Sequence, residues 1–151
     1  MRLTASTGLG FLMAVLWFDL MFDVQVRSHR SDNDLPEDVV ASIAGYYRRV
    51  TTDARPMNRL VALAMLITMG SLVGEIVVDD DHRIAAALAL GLVVLAVGRA
   101  GTRTVGNAVR LGQREDPLAT QSLLARQIYR DHCACLALVL GAFVAHIAIS
   151  A

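Results

Sequence analysis

Residues 12–26 read LMAVLWFDLMFDVQV, an apolar run interrupted by two carboxylates, Asp19 and Asp23. With the residues before it, this run is long enough to cross a bilayer, and that decides the fold class. A charged group at the centre of a membrane helix costs about 2.5–3.5 kcal/mol on insertion scales, and less near the interface. The spacing is i, i+4, so both carboxylates project from one helix face. Such a face must meet something polar: a partner helix, water, a proton, a metal or a ligand.

Three more apolar runs follow. Hydropathy sets spans at about residues 6–26, 60–78, 84–98 and 133–150. The first lacks a small-x-small cleavage site and reads as a retained span rather than a signal peptide. The 151 residues are 55% hydrophobic with a mean hydropathy of +0.50, too apolar for an ordinary soluble domain. Formal net charge is zero, so bulk electrostatics offers nothing to a nucleic acid. Every basic residue is Arg, which points to a GC-rich bacterial genome. Cys133 and Cys135 are too few and too close for a disulfide scaffold.

Arginine placement sets the expected orientation. The first loop carries Arg27, Arg30, Arg48, Arg49, Arg55 and Arg59, and the third carries Arg99, Arg103, Arg110, Arg114, Arg126 and Arg130. The second loop is only Asp79-Asp80-Asp81-His82-Arg83. The positive-inside rule then puts the first and third loops in the cytoplasm and both termini outside a bacterial cytoplasmic membrane.

Within the first loop, residues 31–34 (SDND) form a turn cluster and Pro36 can open a helix. Val39, Val40, Ile43, Tyr46, Tyr47 and Val50 recur at helical spacing, predicting an amphipathic cap over 36–49. Asp116-Pro117 signals a helix start, with Asp as N-cap and Pro at the first helical position. The third and fourth helices should therefore project about 22 Å beyond the membrane. The expected architecture is all-α: one integral membrane four-helix bundle with an amphipathic cytoplasmic helix and cytoplasmic extensions of helices 3 and 4. Gly70 with Gly74, and the stripe Ala134, Ala137, Gly141 and Ala145, mark expected helix contacts or oligomer contacts.

Polar side chains gather at the expected cytoplasmic end. Asp23 precedes Arg27 in the favourable i, i+4 order. Arg99, Arg103, Asn107, Arg110 and Arg114 share a helix face, and Asn58, Arg130 and His132 lie at the same level. These groups suggest a pocket for an anionic or hydroxylated lipophile. His132 and Asp19 are the candidate catalytic residues, and Asp23, Asn58, Arg99, Arg103 and Arg130 the candidate substrate-binding ones. His132 or Asp19 would exchange a proton with the substrate, and arginines would stabilise a developing enolate or phenolate. The competing readings are structural ion pairs and contact with anionic lipid headgroups.

Other constellations are weaker. Glu75, near the outer side, could carry a proton, and Asp79–Asp81 with His82 could hold a cation. Cys133 and Cys135 point about 200° apart on a helix, so packing suits them better than metal ligation. His132 and His146, fourteen residues apart, have haem-like spacing, but His29 and His82 sit in loops. No cofactor is expected, and metal or haem at these histidines stays an open alternative. Walker, GxSxG, HExxH, ExxH and CxxC patterns are absent from the chain.

The layout resembles the small four-span anthrone oxygenase-like family. The strings that carry the resemblance are Tyr46-Tyr47-Arg48-Arg49, Arg55-Pro56-Met57-Asn58-Arg59-Leu60, and Leu124-Ala125-Arg126-Gln127-Ile128-Tyr129-Arg130-Asp131-His132. The resemblance implies cofactor-independent oxygenation of an electron-rich aromatic, an oxidoreductase activity, with His132 as the acid–base group. Two other classes remain: an accessory subunit of a membrane complex, and a proton-coupled carrier using Asp19 and Glu75 as a homo-oligomer. Membrane lipid and a lipophilic small molecule are the expected partners, and nucleic acid is not.

Overall fold

The computed structural model describes residues 1–148. Seven α-helices follow in order among them: α1 (Arg2–Asp23), α2 (Gln25–Ser28), α3 (Glu37–Arg48), α4 (Arg55–Val78), α5 (Arg83–Arg99), α6 (Val105–Gln113) and α7 (Leu118–Ala148). Two π-helical turns, Arg49–Asp53 and Ala100–Thr104, intervene, and the second joins α5 to α6 as one helical run. No strand occurs among the described residues. Four stretches are long and apolar enough to cross a membrane: Arg2–Ser28, Asn58–Val78, Arg83–Gln113 and Leu118–Ala148. The expected end of the fourth span, Ser150, lies outside the described residues.

The long helices close a ring in the order α1, α4, α5, α7, each packed on its two neighbours. Arg2 Nη1 lies 3.3 Å from His82 Nε2, so the N-terminus and the α4–α5 turn share one end, here the far end. The opposite, cap end carries α3, α6 and the start of α7. Each end has its own apolar core. Leu9, Leu12, Leu72, Ala89, Val93 and Val139 fill the bundle. Val26, Leu35, Ile43, Leu111, Leu124 and Ile128 fill the cap.

α3 forms because Pro36 is extended (ψ 144°) and ends the preceding loop, while Glu37 and Asp38 sit in the first turn, where the helix dipole favours them. Val40, Ile43, Ala44 and Tyr47 are buried at i, i+3, i+4, i+7 spacing, the stripe of an amphipathic helix. The loop before α3 is pinned to α7. Arg126 donates to the carbonyls of His29 and Asp32, both at 2.9 Å, and the Leu35 N–H donates to Ser122 Oγ at 3.0 Å. That clamp fixes where α3 lies on the bundle.

Glycine is required where helices meet most closely. A Cβ on Gly8 would fall 2.0 Å from Thr68 Oγ1, so α1 and α4 cross there with no room for a side chain. A Cβ on Gly112 would fall 2.9 Å from the Arg48 backbone nitrogen, where α6 meets α3. The expected small-residue contacts are partly elsewhere. Gly70 meets nothing within 4 Å, Gly74 approaches only the Met1 side chain, and Ala137 is exposed. The buried face of α7 runs instead through Ile128, His132, Cys135, Val139, Ala142 and His146.

The α6–α7 turn also departs from expectation. Arg114 is left-handed (φ 59°) and ends α6. The Gln121 N–H donates to the Pro117 carbonyl, so Pro117 precedes the helix and Leu118 begins it. The Asp116 carboxylate is taken by Arg110 at 2.7 and 2.6 Å and does not cap α7.

Candidate functional site

A cavity of about 610 Å³ opens at the cap end among all four long helices and α3. Its walls are apolar: Leu16, Val61, Met65, Val93, Val97 and Val139. Its lining includes both π-helical turns, through Val50, Thr51, Ala100 and Thr104. Such turns recur at functional sites because they displace side chains from regular helical positions. The cavity is not sealed, since lining residues Phe18 and Val105 are exposed on the bundle's outer surface.

One end of the cavity is polar, and three helices build it. α1 supplies Asp19 and Asp23, α3 supplies Tyr46 and Tyr47, and α7 supplies His132. The Tyr46 hydroxyl donates to Asp19 Oδ1 at 2.6 Å, and the Tyr47 hydroxyl donates to Asp23 Oδ1 at 2.7 Å. His132 Nδ1 donates to Asp23 Oδ2 at 2.7 Å, with the Tyr47 oxygen 3.2 Å away. His132 Nε2 then faces Asp19 Oδ2 at 3.8 Å. Asp23 is fully buried behind the imidazole, whereas Asp19 and His132 both line the cavity.

This is an oriented Asp–His dyad. A buried carboxylate that accepts from Nδ1–H fixes the ring and its tautomer, leaving Nε2 on the side of Asp19. Burial pushes the Tyr46 and Tyr47 phenols well above the ordinary tyrosine range, and the neighbouring carboxylates push them further. Both hydroxyls are therefore fixed donors. The Phe22 and Tyr46 rings stack at 4.1 Å, holding the Tyr46 hydroxyl on Asp19.

The arginines anticipated in the pocket are elsewhere. Arg99 Nη2 pairs with Asp131 at 2.6 Å and Arg103 Nε lies 3.9 Å from the same buried carboxylate. Neither lines the cavity. Arg130 is exposed and its Nε donates to the Arg126 carbonyl at 3.4 Å. Asn58 lines the cavity, but its amide donates to the Thr51 carbonyl at 2.9 Å. Asp23 pairs across the bundle with Tyr47 and His132 rather than along the helix with Arg27. The shared arginine face is likewise divided: Asn107 bonds Gln127, Arg110 bonds Asp116, and Arg114 bonds Glu37.

Sequence reasoning missed Tyr46, Tyr47 and Asp131. Tyr46 and Tyr47 carried a signal, since two adjacent phenols on a cap helix sit within reach of two carboxylates in an apolar run. Asp131 directly precedes His132 and could have been read as the arginine partner. A second buried pair lies near the far end. His146 Nε2 meets Glu75 Oε2 at 2.8 Å, and His146 Nδ1 lies 3.3 Å from Ser6 Oγ. Neither Glu75 nor His146 lines the cavity. His29 and His82 bond Asp32 and Asp79. Among the described residues no group of three or more His, Cys, Asp or Glu is arranged to hold a metal ion.

Fold and site together define a class: an all-helical four-helix bundle, apolar enough to span a membrane, with an internal cavity ending on an Asp–His dyad. No family model, no curated protein and no solved structure matches the chain.

Proposed function

We propose that this is a bacterial multi-pass membrane protein that binds, and by proton transfer at His132 transforms, a lipophilic small molecule. The observation that carries this reading is the apolar cavity ending on Asp19 and the His132 side of the dyad. A volume of about 610 Å³ lies within the range of small-molecule sites, which pair apolar walls with a few placed polar groups. Exposure of the lining residue Phe18, within the first span, suits a ligand arriving from the hydrocarbon layer. The arginine-rich loops make the cap end cytoplasmic and the termini external.

In the reaction, His132 Nε2 accepts a proton from an acidic O–H or C–H of the ligand, and Asp23 stabilises the imidazolium that results. Stabilisation of the ligand's developing charge falls to the imidazolium itself, since the Tyr46, Tyr47 and Thr104 hydroxyl protons go to Asp19, Asp23 and Asp131, and Arg99 and Arg103 are committed to Asp131. The family resemblance narrows the reaction to oxygenation of an electron-rich aromatic, with dioxygen as the oxidant that the deprotonated ring would reduce.

Mass spectrometry of small molecules extracted from detergent-purified protein tests the reading. A reproducible lipophile is expected in the wild type and absent from Ala62→Trp, which fills the cavity from an exposed position on α4. Protein that is empty in every preparation, and that instead co-purifies with a larger assembly, would replace this reading with an accessory-subunit role.

A further inference from the structure

We infer that the cavity selects a lipophilic cation, with Asp19 as its counter-ion, a choice of ligand class that rests on the binding reading above. Among the cavity-lining side chains Asp19 and His132 are the ionisable acid and base, and no arginine lines it. Two carboxyl groups, Asp19 and Asp23, face one imidazole, so a single positive charge on His132 can match only one of them.

That surplus is localised by geometry. Asp23 is fully buried, and both its oxygens are taken, by Tyr47 at 2.7 Å and by His132 at 2.7 Å. Asp19 is only half satisfied. Its Oδ1 accepts from Tyr46, but Oδ2 stands 3.8 Å from His132 Nε2, beyond hydrogen-bond reach. Asp19 is also the carboxylate that lines the cavity. A carboxylate in an apolar environment is costly unless paired, so a ligand that arrives as a cation would be favoured there over one that arrives as an anion.

The aromatic walls point the same way. Phe18, Phe22 and Tyr46 line the same cavity as Asp19, with Phe22 and Tyr46 stacked on each other so that one face of each remains. Ring faces attract a poorly hydrated cation, and the attraction grows as water is excluded. The ligand class is therefore an amphiphile with an apolar, ring-bearing body and one diffuse positive charge. This differs from the anionic or hydroxylated ligand expected from the sequence, because Arg99 and Arg103 turn to Asp131 and no arginine lines the cavity.

Tetraphenylphosphonium and tetraphenylborate share shape and differ in charge, so they isolate the inference. Equilibrium dialysis of each against wild-type protein in detergent, with Ala62→Trp protein as the micelle control, is the experiment. Saturable binding is expected for the phosphonium and not for the borate, and Asp19→Asn should weaken the phosphonium at least tenfold. Borate binding equal to or tighter than phosphonium, or unchanged phosphonium binding in Asp19→Asn, would overturn the inference while leaving a lipophile site intact. If Asp19→Asn fails to fold, the wild-type comparison of the two ions still decides. Binding of neither ion overturns the inference. If the extraction also returns no lipophile, the binding reading falls with it.

Discussion

Two buried histidine–carboxylate pairs hang from the same face of α7, fourteen residues apart, and they differ in what surrounds them. His146 Nε2 meets Glu75 Oε2 at 2.8 Å, Ser6 Oγ lies by the other ring nitrogen, and neither His146 nor Glu75 lines the cavity. His132 is outnumbered by Asp19 and Asp23, carries two phenols around it, and looks into a cavity. A buried ion pair alone is thus no sign of a site. Two carboxyls against one imidazole, held by fixed donors beside open apolar space, are what lead us to propose the cap end as the site.

The comparison breaks most visibly at the far pair. Glu75→Ala removes the carboxylate that His146 Nε2 meets at 2.8 Å, and loss of one partner of a buried pair costs about 3–5 kcal/mol. Thermal unfolding in detergent should show a much lower Tm, while the protein that does fold keeps its ligand. A wild-type Tm would remove the structural assignment of Glu75. Arg99→Ala is next. It leaves buried Asp131 with Arg103 at 3.9 Å and Thr104 at 3.5 Å, so a loss of about 1–3 kcal/mol is expected, with ligand affinity unchanged. A tenfold drop in affinity would return Arg99 to the binding site.

Tyr46→Phe removes the donor on Asp19 without emptying the aromatic wall. A neutral–charged hydrogen bond of this kind contributes about 1.5 kcal/mol or more, so ligand binding should change several-fold with little change in Tm. If dialysis shows no change, the Tyr46 hydroxyl does not hold Asp19 in place. The smallest effect concerns the cysteines. Cys133 is exposed and Cys135 buried with its thiol toward the Ala96 carbonyl. Maleimide should label Cys133 alone in folded protein with unchanged Tm, and labelling of both would contradict the packing of α7.

The fold was largely legible in the residues because its signals are local. Four apolar runs, the helix of residues 36–49 and the long helical extensions all depend on periodicity and length, and the observed α3 and α5 bounds differ from the expected ones by only a residue or so. The Asp116-Pro117 start was read one position early because Arg110, six residues back, captures the carboxylate that would have capped the helix. The site was legible only in part. Asp19 and His132 stood out as costly groups in apolar runs, and both line the cavity. Which charges cancel was not legible, since that depends on contacts between distant segments. Asp131 takes Arg99 and Arg103 across a helix interface, and Tyr47 reaches Asp23 only because Arg126 and Ser122 pin the loop that delivers α3. Helical spacing shows which residues share a face, not which face each one meets.

The most direct test of the central claim is the bound lipophile content of Asp19→Asn set beside that of Glu75→Gln, each purified in the same detergent and extracted for mass spectrometry. The account predicts that Asp19→Asn loses the lipophile while keeping its Tm, and that Glu75→Gln keeps the lipophile while losing Tm. The reverse pattern, or equal lipophile content in both variants, would contradict the assignment of the cap-end cluster as the functional site.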